Sequence, residues 1–186
     1  FSLGGGIILP PLEESIYVFD EAHRLCETAV RHFGADCHIK SSCNWLQKVN
    51  RQCKAQAGIN ETGSELVELL SIVAEQAQNV LNLLKESHPI CEQYLSKIHV
   101  TGEEKTYRFS HGNVEDDLRL LSIQIKKTLG DWLKQVEALN NLLKDMLTNR
   151  NGQAAVENIE NLFQIVGQWL GRAKKMTVLW DKLSRD

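Results

Sequence analysis

Two long segments of the sequence carry apolar residues at intervals of three and four, and this spacing constrains the fold more than any other feature. The first segment runs from about Val114 to Leu147, the second from Val156 to Leu183, and Asn151-Gly152 lies between them. Apolar residues at this period line one face of an α-helix, whereas Asn-Gly is typical of turns. The pattern therefore predicts two long helices that form an antiparallel hairpin.

A third amphipathic segment, from Leu66 to Leu84, precedes the hairpin, and Thr62 with Glu65 has the spacing of a capping box at its start. The stretch from Asn44 to Ala57 also looks helical, but it is only weakly amphipathic. A helix of thirty-odd residues is about 50 Å long, more than a compact domain of this size needs. We therefore expect a mainly α fold, an elongated bundle with long antiparallel helices.

Two short stretches have the character of strands. Ile16-Tyr17-Val18-Phe19 is a β-branched and aromatic run that ends in Asp20-Glu21, which suits a buried parallel strand with acids at its carboxyl end. A glycine- and proline-containing connector, residues 4–11, leads into it. Lys105 to Ser110 alternates polar and apolar residues, which allows one small strand or hairpin there. Because a lone strand cannot form a sheet, the first would need partners from outside these residues.

Composition excludes several classes of protein. The chain has 186 residues, 42% of them hydrophobic, which is enough for a folded core, and its net charge of −3 excludes a uniformly basic protein but not a local basic stripe. No apolar run reaches the roughly 18 residues that a membrane span needs, so we expect a cytoplasmic protein. The five cysteines are irregularly spaced, as in reduced intracellular proteins without structural disulfides.

The residues with the clearest chemistry are Asp20, Glu21 and His23. In nucleotide-driven motors, an apolar strand delivers an Asp that holds Mg²⁺ through water and a Glu that polarises the water attacking the γ-phosphate of ATP. His23 would link that site to a nucleic-acid-binding surface. The alternative is that Asp20 and Glu21 charge the first turn of a helix over residues 21–33, and both can hold. No phosphate-binding loop of the Walker type is present, so the fragment alone should not hydrolyse ATP.

These residues carry a resemblance to a known family. The stretches Gly4–Pro10 and Ile16–Leu25 resemble the DinG branch of the XPD-like, superfamily-two DNA helicases. Weaker matches are Tyr107-Arg108-Phe109 with Gly112, and Trp169–Arg172 leading to Leu179-Trp180. The resemblance extends over nearly the whole chain.

The resemblance implies a fragment of a bacterial ATP-dependent 5′ to 3′ DNA helicase that couples ATP hydrolysis to unwinding, has single-stranded and forked DNA as its partners, and has a role in DNA repair. Residues 1–27 would be the end of the first RecA-like motor domain, with the DEAH (Walker B) motif and a remnant strand. Residues 28–186 would be a helical arch inserted after that motif, which helps to form the DNA passage. ATP and Mg²⁺ would bind the intact parent, and its iron–sulfur cluster would lie upstream of Phe1.

Basic residues on the two long helices are candidate DNA contacts, since Lys and Arg bind phosphate without reading sequence. The candidates are Lys126, Lys127, Lys134, Arg172, Lys174 and Lys175, with Lys144, Lys182 and Arg185 nearby. A solvated helix face is an equally good interpretation of these charges. Trp132, Trp169 and Trp180 have the spacing of core residues, whereas the role of Trp45 stays open.

Two further alternatives concern metals and the class of protein. Cys26, Cys37, Cys43 and Cys53 lie close in sequence to several histidines, but no Cys-x-x-Cys pair is present, so buried or half-buried free thiols are the preferred interpretation. The competing function is a free-standing helical protein-interaction module without a catalytic role, in which the two acids after an apolar run are coincidental.

Overall fold

The structure is a computed structural model that describes residues 16, 18, 22–58, 63–97, 106–149 and 155–185. It divides into two compact units, residues 1–34 and residues 35–186. In the first unit, a 3₁₀ turn at Ala22–Arg24 leads into helix α1, Leu25–Phe33. This agrees with the helix expected over residues 21–33, although Glu21 lies outside the described residues.

The strand expected before this helix is not formed at the two positions where it can be examined. Ile16 and Val18 lie in neither helix nor strand, and their side chains are 96% and 91% exposed. Tyr17, Phe19 and Asp20 lie outside the described residues. A β-branched run needs a neighbouring strand to bond its backbone, and among the described residues the chain supplies none.

The described residues of the second unit form four α-helices. They are α2 (Ile39–Ala57), α3 (Ser64–Ser96), α4 (Asp116–Asn149) and α5 (Ala155–Leu183). The predicted mainly α fold with long helices is confirmed, and no helix in the described ranges is long and apolar enough to cross a membrane.

Contacts between the helices show that successive helices run in opposite directions. Lys126 on α4 meets Asp181 on α5, and Glu137 further along α4 meets Lys174 earlier on α5. In the same way Asp117 of α4 bonds Tyr94 of α3, whereas Trp132 bonds the earlier residue Val73. The predicted antiparallel hairpin is therefore confirmed, and α3 extends the up-and-down order.

A single apolar core joins the four helices. Leu46 and Val49 of α2 and long rows from α3, α4 and α5 are fully or nearly fully buried. Trp132 is fully buried in this core: its Nε1 donates to the Val73 carbonyl at 3.1 Å, and its ring packs edge to face with Trp45 on α2, with 5.6 Å between centroids. Trp132, Trp169 and Trp180 are at most 3% exposed, so their interpretation as packing residues is confirmed.

Helix α3 runs further than its clearest apolar repeat, which ends at Leu84. It continues through Pro89, a residue that cannot donate a backbone hydrogen bond and usually ends or bends a helix. Pro89 is exposed, whereas Ile90, Cys91 and Tyr94 beyond it pack on the core. Burial of these residues supports the last two turns. At its other end the N-cap is Gly63, and the predicted cap Thr62 lies outside the described residues.

The predicted small strand near Lys105–Ser110 is wrong. Residues 106–109 are irregular, and Ser110–Gly112 is a 3₁₀ turn with both His111 and Gly112 at positive φ. The alternation has another cause: Tyr107 and Phe109 both pack on Tyr94, with ring centroids 5.1 and 5.5 Å away. The segment is thus held against the end of α3 by aromatic contacts instead of strand pairing.

Candidate nucleotide motif and nucleic-acid interface

The predicted catalytic residues lie in the first unit. Asp20 and Glu21 lie outside the described residues. His23 lies in the 3₁₀ turn Ala22–Arg24, with its side chain exposed. The turn leads directly into α1. The assignment of Mg²⁺ binding and general-base roles to these residues therefore stays a prediction from sequence.

Three of the six predicted DNA contacts on α4 and α5 meet acids of the same bundle. Lys126 Nζ lies 2.7 Å from Asp181, Lys174 Nζ lies 3.1 Å from Glu137, and Lys134 Nζ lies 3.0 Å from Asp131 on its own helix. Asp181 also pairs with Arg185. Hydrogen bonds from Lys126 and then Arg185 lower the pKa of the Asp181 carboxyl, so it stays ionised at neutral pH. These lysines are partly neutralised within the fold.

Lys127 and Lys175 have different surroundings. Both are exposed, and within the described part of the chain neither makes an ion pair. Lys127, Lys126 and Lys134 line a shallow groove of about 430 Å³ along α4, together with Ile123 and Gly130. Asp131 lies in the same groove. Three lysines and one aspartate thus give the groove a modest positive charge.

Arg172 is bound to another helix of the bundle. Its guanidinium lies 4.7 Å from the ring centroid of Trp45, and its Nη2 donates to Ser41 Oγ at 3.2 Å. A planar guanidinium over an aromatic face is a favourable cation–π arrangement. This contact joins α5 to α2 and gives half-buried Trp45 a structural partner, which settles the role that sequence left open.

The described helix with the largest net positive charge was not among the candidates predicted from sequence. Helix α2 carries four cations, Lys40, Lys48, Arg51 and Lys54, and no Asp or Glu. We call these four residues the α2 basic face. All four side chains are exposed, and none forms an ion pair with a described residue. The signal was present in the sequence, since a helix of 19 residues with four cations and no acid is readily seen by counting charge helix by helix.

The cysteines are free thiols. Cys43 and Cys53 are buried, Cys37 and Cys91 are half-buried, and Cys26 is exposed, so the preferred interpretation holds for three of the four cysteines to which it applied and is wrong for Cys26. Burial raises the pKa of Cys37, Cys43 and Cys91, and that of Cys53 to about 12. A raised pKa disfavours the thiolate, which is the form that binds metals. No group of three or more His, Cys, Asp or Glu side chains in the described ranges is placed to hold a metal ion.

Comparison with known proteins gives one clear relationship. The chain is similar to a DinG helicase. The relative is the ATP-dependent DNA helicase DinG of Photobacterium profundum, 28% identical over 185 residues that take in 89% of this chain. The match covers 25% of the helicase, so the chain spans about a quarter of that protein's length. No protein-family model and no solved structure matches the chain.

This similarity relates the chain to the DinG-type helicases, in agreement with the resemblance of its motifs. It takes in nearly the whole sequence and is therefore not confined to the acidic motif.

Proposed function

We propose that the chain is a segment of an ATP-dependent DNA helicase of the DinG type. Residues 1–27 would end the first RecA-like motor domain and carry motif II, and residues 28–186 would be the helical arch inserted after it. The observation that carries this proposal is the similarity to a DinG helicase over 89% of the chain. A free-standing interaction module would account for a helical bundle but not for that similarity.

In the proposed helicase, the acids of motif II act on Mg²⁺-ATP. Asp20 holds the metal through water, and Glu21 polarises the water that attacks the γ-phosphate. His23, two residues further, links the nucleotide site to the nucleic-acid-binding surface. We assign the phosphate cradle to another part of the parent, because the sequence has no Walker-type loop, and we place the iron–sulfur cluster upstream of motif II, as the family resemblance implies. We place this helicase in the cytoplasm.

The helical bundle would help to form the passage for DNA. Lys126, Lys127, Lys134, Arg172, Lys174 and Lys175 are the candidate contacts on α4 and α5. We rank Lys127 and Lys175 first, since they make no ion pair with a described residue, whereas Lys126, Lys134 and Lys174 would have to exchange a carboxylate partner for phosphate. Arg172 would have to leave Trp45.

The catalytic assignment is tested by replacing Glu21 with Gln in the intact helicase. General-base catalysis contributes about 10²–10⁴ to rate, so DNA-stimulated ATP hydrolysis should fall by at least about a hundredfold. Circular dichroism and the affinity for ATP should be unchanged. The matched control is Glu27→Gln, the same change six residues further along, which should leave turnover near the wild-type value. Full turnover by the Glu21→Gln enzyme would exclude Glu21 as the base.

A further inference from the structure

The α2 basic face is a continuous stripe on one side of its helix. At 100° per residue, Lys40, Lys48, Arg51 and Lys54 fall within an arc of about 120°. The opposite arc holds Leu46, Val49 and Cys53, which are fully buried. From Lys40 to Lys54 the stripe is about 21 Å long at 1.5 Å per residue. The packing of α2 thus fixes its charged side toward solvent.

The flanks of this stripe add no compensating carboxylate contact among the described residues. Toward α5, the neighbour is Arg172, a fifth cation that reaches α2 through Ser41 and Trp45. Toward α3, Asn50 donates to Gln78 at 3.3 Å, and Gln78 donates to Asn82 at 2.9 Å, so the helices are joined there by neutral amides. Arg51 makes only a long contact, 3.4 Å, with the Gln47 carbonyl of its own helix. The four charges are therefore available to a partner.

The four cations of the α2 basic face and the neighbouring Arg172 repel one another. Binding of a polyanion would neutralise this repulsion. A protein interface normally has an apolar centre, but no large hydrophobic side chain of α2 is exposed. A helix that lies on a membrane inserts an apolar face, and the apolar face of α2 is buried in the bundle. A row of exposed Lys and Arg without an apolar anchor is the arrangement that contacts nucleic-acid phosphate.

We infer that the α2 basic face binds the phosphate backbone of nucleic acid without reading its base sequence. Lys40, Lys48, Arg51 and Lys54 each supply a phosphate contact, and Arg172 adds positive charge beside them while it holds α2 in place. The inference rests on the proposed function in one respect, since a helicase is the setting that brings nucleic acid to this surface. It places the main electrostatic contact of the bundle on α2 and not on α4 and α5.

The test compares two charge-matched variants of this chain for binding to a fluorescein-labelled oligothymidylate, measured by fluorescence anisotropy at several salt concentrations. One variant carries Lys40→Gln, Lys48→Gln, Arg51→Gln and Lys54→Gln. The control carries Lys97→Gln, Lys105→Gln, Arg108→Gln and Arg119→Gln, the same loss of charge at positions that are not among the candidate DNA contacts. Urea unfolding checks that both variants keep the fold.

The wild-type chain should bind with an affinity that falls as salt rises. Each phosphate contact to a single strand contributes about −0.7 to the slope of log K against log salt, so removing the four contacts should flatten the slope by about 2.8. At low salt the α2 variant should bind at least about tenfold more weakly, and the control should bind nearly as well as wild type.

Several results would overturn the inference. They are no binding by the wild-type chain at low salt, equal weakening in both variants, strong preference for one oligonucleotide sequence, or binding to phosphatidylserine vesicles without binding to the oligonucleotide. This test can fail independently of the catalytic test. Binding of the oligonucleotide by the α2 variant tests the role of the α2 basic face, whereas ATP hydrolysis by the Glu21→Gln helicase tests the assignment of motif II.

Discussion

Helix α2 and the α4–α5 hairpin use their positive charges differently. The hairpin carries acids as well as bases, and contacts such as Lys126–Asp181 and Lys174–Glu137 join its two helices. Helix α2 carries no acid, and it is attached to the bundle by apolar packing, by the neutral amide of Asn50 and by the stacking of Arg172 on Trp45. Its own cations take no part in that attachment.

This difference indicates which positive charges can bind a partner from outside the bundle. A lysine that already faces a carboxylate must lose that interaction before it can bind phosphate, so its net gain is small. A lysine without a carboxylate partner has no such interaction to give up. The number of lysines on a helix is therefore a poor guide to nucleic-acid binding, and the number without a carboxylate partner is a better one.

Among the replacements that test this difference, the largest change in stability should come from Arg172, the cation that joins α5 to α2. Replacing it with Gln removes the cation–π contact with Trp45 and the charged hydrogen bond to Ser41. We expect the free energy of unfolding of the chain to fall by about 1 to 2 kcal/mol, measured by urea denaturation.

Lys175→Gln is the control for Arg172→Gln, since it removes an exposed cation from the same helix that makes no described ion pair. It should change stability by less than about 0.5 kcal/mol. A double-mutant cycle with Trp45→Leu should give a coupling of about 0.5 to 1 kcal/mol. Equal effects of the two single replacements, or no coupling to Trp45, would show that Arg172 does not hold α2.

A smaller effect on stability is expected at Gly130, which lines the α4 groove. A Cβ added there would meet no atom within 4 Å, and glycine inside a helix costs about 1 kcal/mol relative to alanine. Gly130→Ala should therefore raise the free energy of unfolding by up to about 1 kcal/mol. Because we assign backbone binding to α2, the affinity for the oligothymidylate should not change.

Gly167→Ala serves as the control for Gly130→Ala, since Gly167 is exposed on α5 and also has no atom near its Cβ position. It should give a similar gain in stability. If Gly130→Ala weakens binding to the oligonucleotide and Gly167→Ala does not, the α4 groove and not α2 holds the strand.

The long helices were predictable because their apolar repeat is continuous. Trp132, Leu139 and Leu143 lie in one such row, and all three are fully buried. The stretch from Asn44 to Ala57 looked only weakly amphipathic because its buried side includes the polar residue Asn50. The Asn50 amide donates to the Ala74 carbonyl and to Gln78 Oε1, both on α3. These partners depend on how α2 packs against α3.

The surroundings of the candidate site residues could be predicted only in part. The Lys134–Asp131 pair lies within one turn of α4, so sequence spacing indicates it. The Lys126–Asp181 pair depends on how α4 and α5 are aligned, which the apolar repeat does not specify to a single residue. The strand predicted near Tyr107 was wrong for a related reason. Alternating apolar residues are typical of a strand, but they also occur in an irregular segment whose two rings, Tyr107 and Phe109, both pack on Tyr94.

The smallest effect concerns the Asp181 carboxylate, and it depends on pH. Hydrogen bonds from Lys126 and Arg185 lower its pKa in the folded chain below the value of about 3.9 for an unperturbed Asp. Its contribution to stability is therefore fully present above that unfolded value and is lost as pH falls through the lower folded value. Asp181→Asn should destabilise the chain slightly at neutral pH, and its difference from wild type in urea unfolding should fade in acid. High salt should reduce the difference as well. The control is Asp131→Asn, which removes an ion pair within α4 only. If the difference in unfolding free energy between Asp181→Asn and wild type stays constant with pH, this carboxylate does not join α4 to α5.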